Sequence, residues 1–67
     1  MPAITINAEP KTLPDPFTVE DLLRLLGKDP KRLAVEVNRS LVPRAEHKNC
    51  RLGDGDAVEI VTLVGGG

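Results

Sequence analysis

Apolar and polar positions change period twice along this chain, and each change marks a different element. Ala3-Ile4-Thr5-Ile6-Asn7 alternates apolar with polar, which places Ile4 and Ile6 on one face of a half-buried strand. Asn7 to Pro10 carries turn-forming residues, and Lys11-Thr12-Leu13 reads as a short returning edge strand before Pro14 and Pro16. The spacing then lengthens. Val19, Leu22, Leu23 and Leu26 follow the i, i+3, i+4, i+7 rule and predict an amphipathic helix with that stripe buried. Thr18 is its N-cap, and Glu20 and Asp21 lie in the first turn, where carboxylates complement the helix dipole. Asp21 is placed to act as the acid of a shortened capping box, with Phe17 and Leu22 as a hydrophobic staple across the cap. Gly27 suits a left-handed helix end, and Pro30 prevents the helix from resuming.

After the helix, the strand period returns. Leu33-Ala34-Val35-Glu36-Val37-Asn38 predicts a strand with Val35 and Val37 facing one way. Asn38-Arg39-Ser40 makes a turn, and Leu41-Val42-Pro43 begins a short return that Pro43 cuts off. Arg44 to Asn49 is polar and reads as a single helical turn or a loop, and Gly53-Asp54-Gly55-Asp56 as a tight turn. A final strand runs from Ala57 to about Leu63. The order of hairpin, helix, strand, short strand and final strand predicts one helix packed across one mixed sheet of four to five strands, a two-layer α+β domain. On the final strand Val58 and Ile60 share the core face, which turns Glu59, Val61 and Leu63 outward. Val61 and Leu63 mark a candidate binding patch, joined by Ala34 and Glu36 if the two strands pair, with Arg39 and Arg44 as a candidate polar rim.

Composition narrows the chemistry. A chain of 67 residues makes one small domain. A net charge of −1 gives no electrostatic case for nucleic acid or an anionic membrane. Phe17 is the only aromatic residue, so base-stacking platforms are not expected. No apolar run approaches the ~20 residues of a membrane span, and Met1-Pro2-Ala3 opens no signal-peptide pattern, so a cytoplasmic protein is expected. The single cysteine, Cys50, excludes an internal disulfide and any thiolate metal cluster from one chain. His47, beside Glu46 in a polar segment, reads as a surface imidazole, and Cys50 as a semi-buried thiol; three residues apart, they lack the orienting third group of a nucleophilic pair. Gly53-Asp54-Gly55-Asp56 lacks the alternating ligands and closing glutamate of a calcium loop, and no helix follows it as a phosphate loop requires. Neither a catalytic residue nor a metal site is expected.

The last strand passes through Val64 directly into Gly65-Gly66-Gly67. At 3.3–3.6 Å per extended residue these glycines reach about 10 Å. Without Cβ atoms they fit a narrow channel and leave the terminal carbonyl open to attack. Residues 1–64 are therefore expected to fold as the domain and 65–67 to form a flexible glycine tail; a merely frayed end is the alternative. With this run in place, the residues Val37-Asn38, Val42-Pro43-Arg44, Asp54-Gly55-Asp56, Val58-Glu59-Ile60-Val61 and Val64-Gly65-Gly66-Gly67 carry a resemblance. The chain resembles the ubiquitin-like β-grasp sulfur carriers, and more narrowly those of thiamine biosynthesis.

That resemblance implies a β-grasp fold and a protein that acts as a reagent without bound cofactor or catalytic machinery. An adenylating, ubiquitin-activating-like enzyme would consume ATP to activate Gly67. A sulfur donor such as a cysteine desulfurase would convert that end to a thiocarboxylate, and thiazole synthase would receive the sulfur. Gly65 and Gly66 would enter the partner's channel, and Val61, Leu63 and Arg44 would dock against its surface. Sibling carriers serving molybdopterin synthesis or tRNA thiolation share the fold and tail. A non-catalytic β-grasp binding module is the alternative of a different class.

Overall fold

The computed structural model describes residues 1–63, and the elements fall in the predicted order. They are β1 (Ala3–Ile6), β2 (Glu9–Thr12), α1 (Val19–Leu26), β3 (Leu33–Val37), β4 (Ser40–Val42) and β5 (Ala57–Thr62), with single 3₁₀ turns at Pro30–Arg32 and Arg44–Glu46. The five strands form one mixed sheet in the order β2-β1-β5-β3-β4. β5 lies at its centre, parallel to β1 and antiparallel to β3.

Both hairpins close through two residues with positive φ, Asn7 and Ala8 in the first, Asn38 and Arg39 in the second. Such primed turns match the right-handed twist of the strands they join. The first hairpin differs from expectation. Its return strand begins at Glu9 and ends at Thr12, so Leu13 leaves the sheet and is fully buried. Pro10 is tolerated because β2 is an edge strand, where a missing N–H costs no ladder bond. The Leu13 amide instead donates to the Pro2 carbonyl at 2.9 Å.

Asparagine side chains extend the ladder where the backbone turns away. The Asn7 Oδ1 accepts from the Ile60 amide at 2.8 Å, and its Nδ2 donates to the Ile60 carbonyl at 3.3 Å. Asn38 accepts from the Ala57 amide at 2.9 Å and donates to Asp56 Oδ1 at 2.9 Å. In the turn before β5 the acidic oxygens serve the backbone: Asp54 accepts from the Ala3 amide and Asp56 from the Gly53 amide. Gly55 there has φ of 88°, a conformation that side chains other than glycine rarely adopt.

The helix is built by local chemistry. The Thr18 hydroxyl accepts from the Asp21 amide at 3.1 Å, and the Thr18 amide donates to the Asp21 carboxylate at 3.0 Å. Gly27 ends the helix at φ 67°, and the amides of Gly27 and Lys28 cover the carbonyls of Arg24 and Leu23. Val19, Leu22 and Leu23 are buried, while Leu26, in the last turn, is half-buried against the same cluster. They meet Ile4, Leu33, Val35, Val58 and Ile60 from the sheet, with Leu13 and Leu52 from the connecting segments. Each such side chain contributes about 1.5–3 kcal/mol on burial. The helix thus covers one face of the sheet and leaves the other to solvent.

Candidate functional site

Strand register determines what the uncovered face displays. Val35 pairs with Ile60, which sends the alternate residues outward: Ala34 opposite Val61, and Glu36 opposite Glu59. This is the strand pairing that brings Ala34 and Glu36 beside the expected patch. Val61 is 50% exposed and Leu63 52%, while Val58 and Ile60 beneath them are buried. The Leu63 amide donates to the Arg32 carbonyl at 2.9 Å, which ties the end of this strand to the turn preceding β3.

Leu41 also belongs to this face and was not among the expected residues. It pairs with Glu36 from β4 and is 63% exposed. In a single strand segment its side chain has no assigned direction; only the Val35–Val42 register shows that Leu41 points with Glu36. The outward surface is therefore Leu41, Ala34, Val61 and Leu63 around a facing pair of carboxylates. Like charges directly opposite each other weaken a sheet, so the Glu36–Glu59 arrangement works against folding.

The two candidate rim arginines lie in different places. Arg39 is in the β3–β4 turn, at the opposite end of β3 from the Leu33–Thr62 pair. Arg44 opens the 3₁₀ turn after β4 and lines a groove on the helix side. Gly65, Gly66 and Gly67, the expected tail and modification site, lie outside the described residues.

His47 corrects an expectation. It is only 5% exposed, and its Nε2 lies 3.2 Å from the Val42 carbonyl, so Nε2 carries the proton and donates. The cause lies in the helix N-terminus, whose first amides have no partner within the helix. Val19 donates to the Cys50 carbonyl at 2.9 Å and Glu20 to the His47 carbonyl at 3.1 Å. These bonds pull segment 47–50 onto the helix and bury the imidazole. Cys50 is half-buried, as expected, and burial, then the nearby Asp56 charge, push its thiol above the usual range. Among the described residues, no group of histidine, cysteine and carboxylate side chains could hold a metal. No helix among them is long and apolar enough to cross a membrane.

A capped helix across a five-stranded mixed sheet with a central parallel pair is the ubiquitin-like β-grasp architecture. The crystal structure of the thiamine biosynthesis protein ThiS from Geobacter metallireducens superposes with a TM-score of 0.84 at 31% identity, over 97% of this chain and 99% of that one. The ThiS family model matches residues 4–67, and the chain belongs to the ThiS family. The sulfur carrier protein ThiS of Bacillus subtilis is 36% identical over 53 residues, covering 79% of this chain and 80% of the relative. A thiazole synthase of Paramagnetospirillum magneticum is 41% identical over 64 residues, 96% of this chain; the chain spans 20% of that protein's length.

Proposed function

We propose that this protein is the sulfur carrier of thiamine biosynthesis and acts as a co-substrate with no reaction centre of its own. The observation that carries this reading is the family match across residues 4–67, which includes the glycine run. An adenylating enzyme attacks ATP with the Gly67 carboxylate, releasing pyrophosphate and forming an acyl adenylate. A sulfide equivalent derived from a cysteine desulfurase then adds to that carbonyl and expels AMP, leaving a thiocarboxylate. If a persulfide delivers the sulfur, the acyl disulfide formed first is cleaved by a second thiol. The partner to which the sulfur passes is thiazole synthase, whose name the Paramagnetospirillum relative bears.

The sheet face supports this reading with a surface suited to transient docking. Leu41, Val61 and Leu63 supply apolar area, and Glu36 and Glu59 supply charge for a basic residue of the activating enzyme or the synthase. Gly65 and Gly66 then carry Gly67 into the partner's site, where a side chain would obstruct entry. Leu63→Asp tests the surface, because Leu63 is exposed and its replacement leaves the core intact. The expected outcome is a normal melting temperature with at least about tenfold slower activation, the loss of about 1.4 kcal/mol in docking. Activation at the wild-type rate would show that this face does not dock.

A further inference from the structure

On the helix side, away from the Glu36–Glu59 face, a groove of about 320 Å³ lies between α1 and the turn at Arg44–Glu46. That volume is at the lower end of small-ligand sites. Leu23 and Pro30 form apolar wall, and the charged lining is Arg24, Lys28 and Arg44 against one carboxylate, Glu20. A chain of net charge −1 thus gathers three of its nine lysines and arginines around one depression.

Lys28 and Arg44 are not used by the fold. The helix-end carbonyls that Arg24 and Lys28 would otherwise cover are taken by the Gly27 and Lys28 amides. Arg24 has an exposed contact to Glu20 at 3.5 Å, while Lys28 and Arg44 have no ion-pair partner among the described residues. His47 completes the wall. Its Nε2 is engaged by the Val42 carbonyl, and its Nδ1 has no partner. No buried side-chain nitrogen or oxygen among the described residues lacks a partner, so Nδ1 must meet solvent.

We propose that this groove is a binding site for a small phosphate-bearing ligand of the diphosphate or triphosphate class. A single carboxylate needs one cation; Lys28 and Arg44, with Arg24 shared with Glu20 beside them, match the multiple charges of a polyphosphate. Lys28 and Arg44 hold the phosphate oxygens, and Leu23 and Pro30 shield one side from water. The groove also borders the turn at Pro30–Arg32, whose Arg32 carbonyl receives the Leu63 amide, so it lies at the end of the sheet where β5 finishes. The site does not depend on the sulfur-carrier reading.

The test is a titration of the isotope-labelled full chain with inorganic pyrophosphate at low salt, followed by amide and imidazole resonances. Saturable shifts are expected at Lys28, Arg44 and His47, and Lys28→Ala and Arg44→Ala should each weaken binding about tenfold. Lys48→Ala, which changes an exposed lysine outside the groove, should leave the affinity unchanged. ATP in a second arm should compete for the same resonances. Shifts spread evenly over Lys11, Lys31 and Lys48, or affinity unaltered by both groove variants, would overturn the proposal. Binding of a glutamate-rich peptide with no response to pyrophosphate would also overturn it and assign the groove to an acidic protein segment. No activating enzyme is present, so failure here leaves the thiocarboxylate reading intact.

Discussion

The opposed glutamates on β3 and β5 give a prediction in which stability and docking move in opposite directions. Glu36 and Glu59 are direct cross-strand partners, and such pairs hold their Cβ atoms about 4.5–5.5 Å apart. Carboxylates no farther apart than their Cβ atoms, about 5 Å, would repel by about 0.8 kcal/mol in water, an upper limit because the charges lie two carbons beyond Cβ. Screening with a Debye length of about 8 Å at physiological salt reduces this to about 0.4 kcal/mol. Glu59→Gln removes that repulsion, and Glu59→Lys replaces it with attraction of similar size, a total gain of about 0.8 kcal/mol. In a domain of this length about 1 kcal/mol moves Tm by 4–8 °C, so the expected rises are up to about 2–3 °C for Gln and 3–6 °C for Lys. Thermal melts followed by circular dichroism at physiological and at about 1 M salt check both size and origin, because the Debye length falls to about 3 Å and the Lys gain should shrink to about 1–2 °C. Unchanged melting in both variants, or a rise identical at the two salt levels, would refute the like-charge reading. The same Glu59→Lys protein should dock more weakly on its activating enzyme, since it presents a cation where the proposed partner presents one.

Four further outcomes follow from the geometry. Thr18→Ala removes the hydroxyl that accepts from the Asp21 amide and should cost about 1 kcal/mol by denaturant titration, whereas Thr18→Ser should cost little. His47→Leu leaves the part-buried Val42 carbonyl without its donor and should destabilise by about 1 kcal/mol; a variant as stable as wild type would show that the contact is dispensable. The Cys50 thiol, held above its usual range by burial and Asp56, should alkylate more slowly in the native than in the unfolded chain at any one pH. Its folded-state pKa exceeds the unfolded value, so its contribution to stability is complete below about pH 8.5 and is lost as pH rises through the folded value. Stability that increases over that alkaline range in wild type relative to Cys50→Ala would contradict this sign.

What the sequence revealed was whatever local chemistry decides. Thr18, Asp21 and Gly27 make their cap contacts within a few residues, so the helix and both its ends were readable. The alternation of Val58 and Ile60 with Glu59 and Val61 likewise showed which residues of β5 face outward. The return strand of the first hairpin starts earlier than expected because Glu9 and Pro10 read as turn residues, yet on an edge strand Pro10 needs no ladder bond. Leu41 joined the candidate surface through a register that no single segment contains. His47 looked exposed because its neighbours are polar; its burial follows from helix amides that find their acceptors in segment 47–50. The groove cations were missed for the same reason, since Arg24, Lys28 and Arg44 converge only when the turn after β4 meets the helix.

The central claim is that Gly67 accepts sulfur, and intact mass tests it most directly. The full chain and a chain lacking Gly67 are incubated with ATP, an activating enzyme of this family, a cysteine desulfurase and cysteine. The sulfur-carrier reading predicts a mass gain equal to exchange of one oxygen for sulfur in the full chain alone. No gain in either chain, with the enzyme active on an established carrier in parallel, would contradict it.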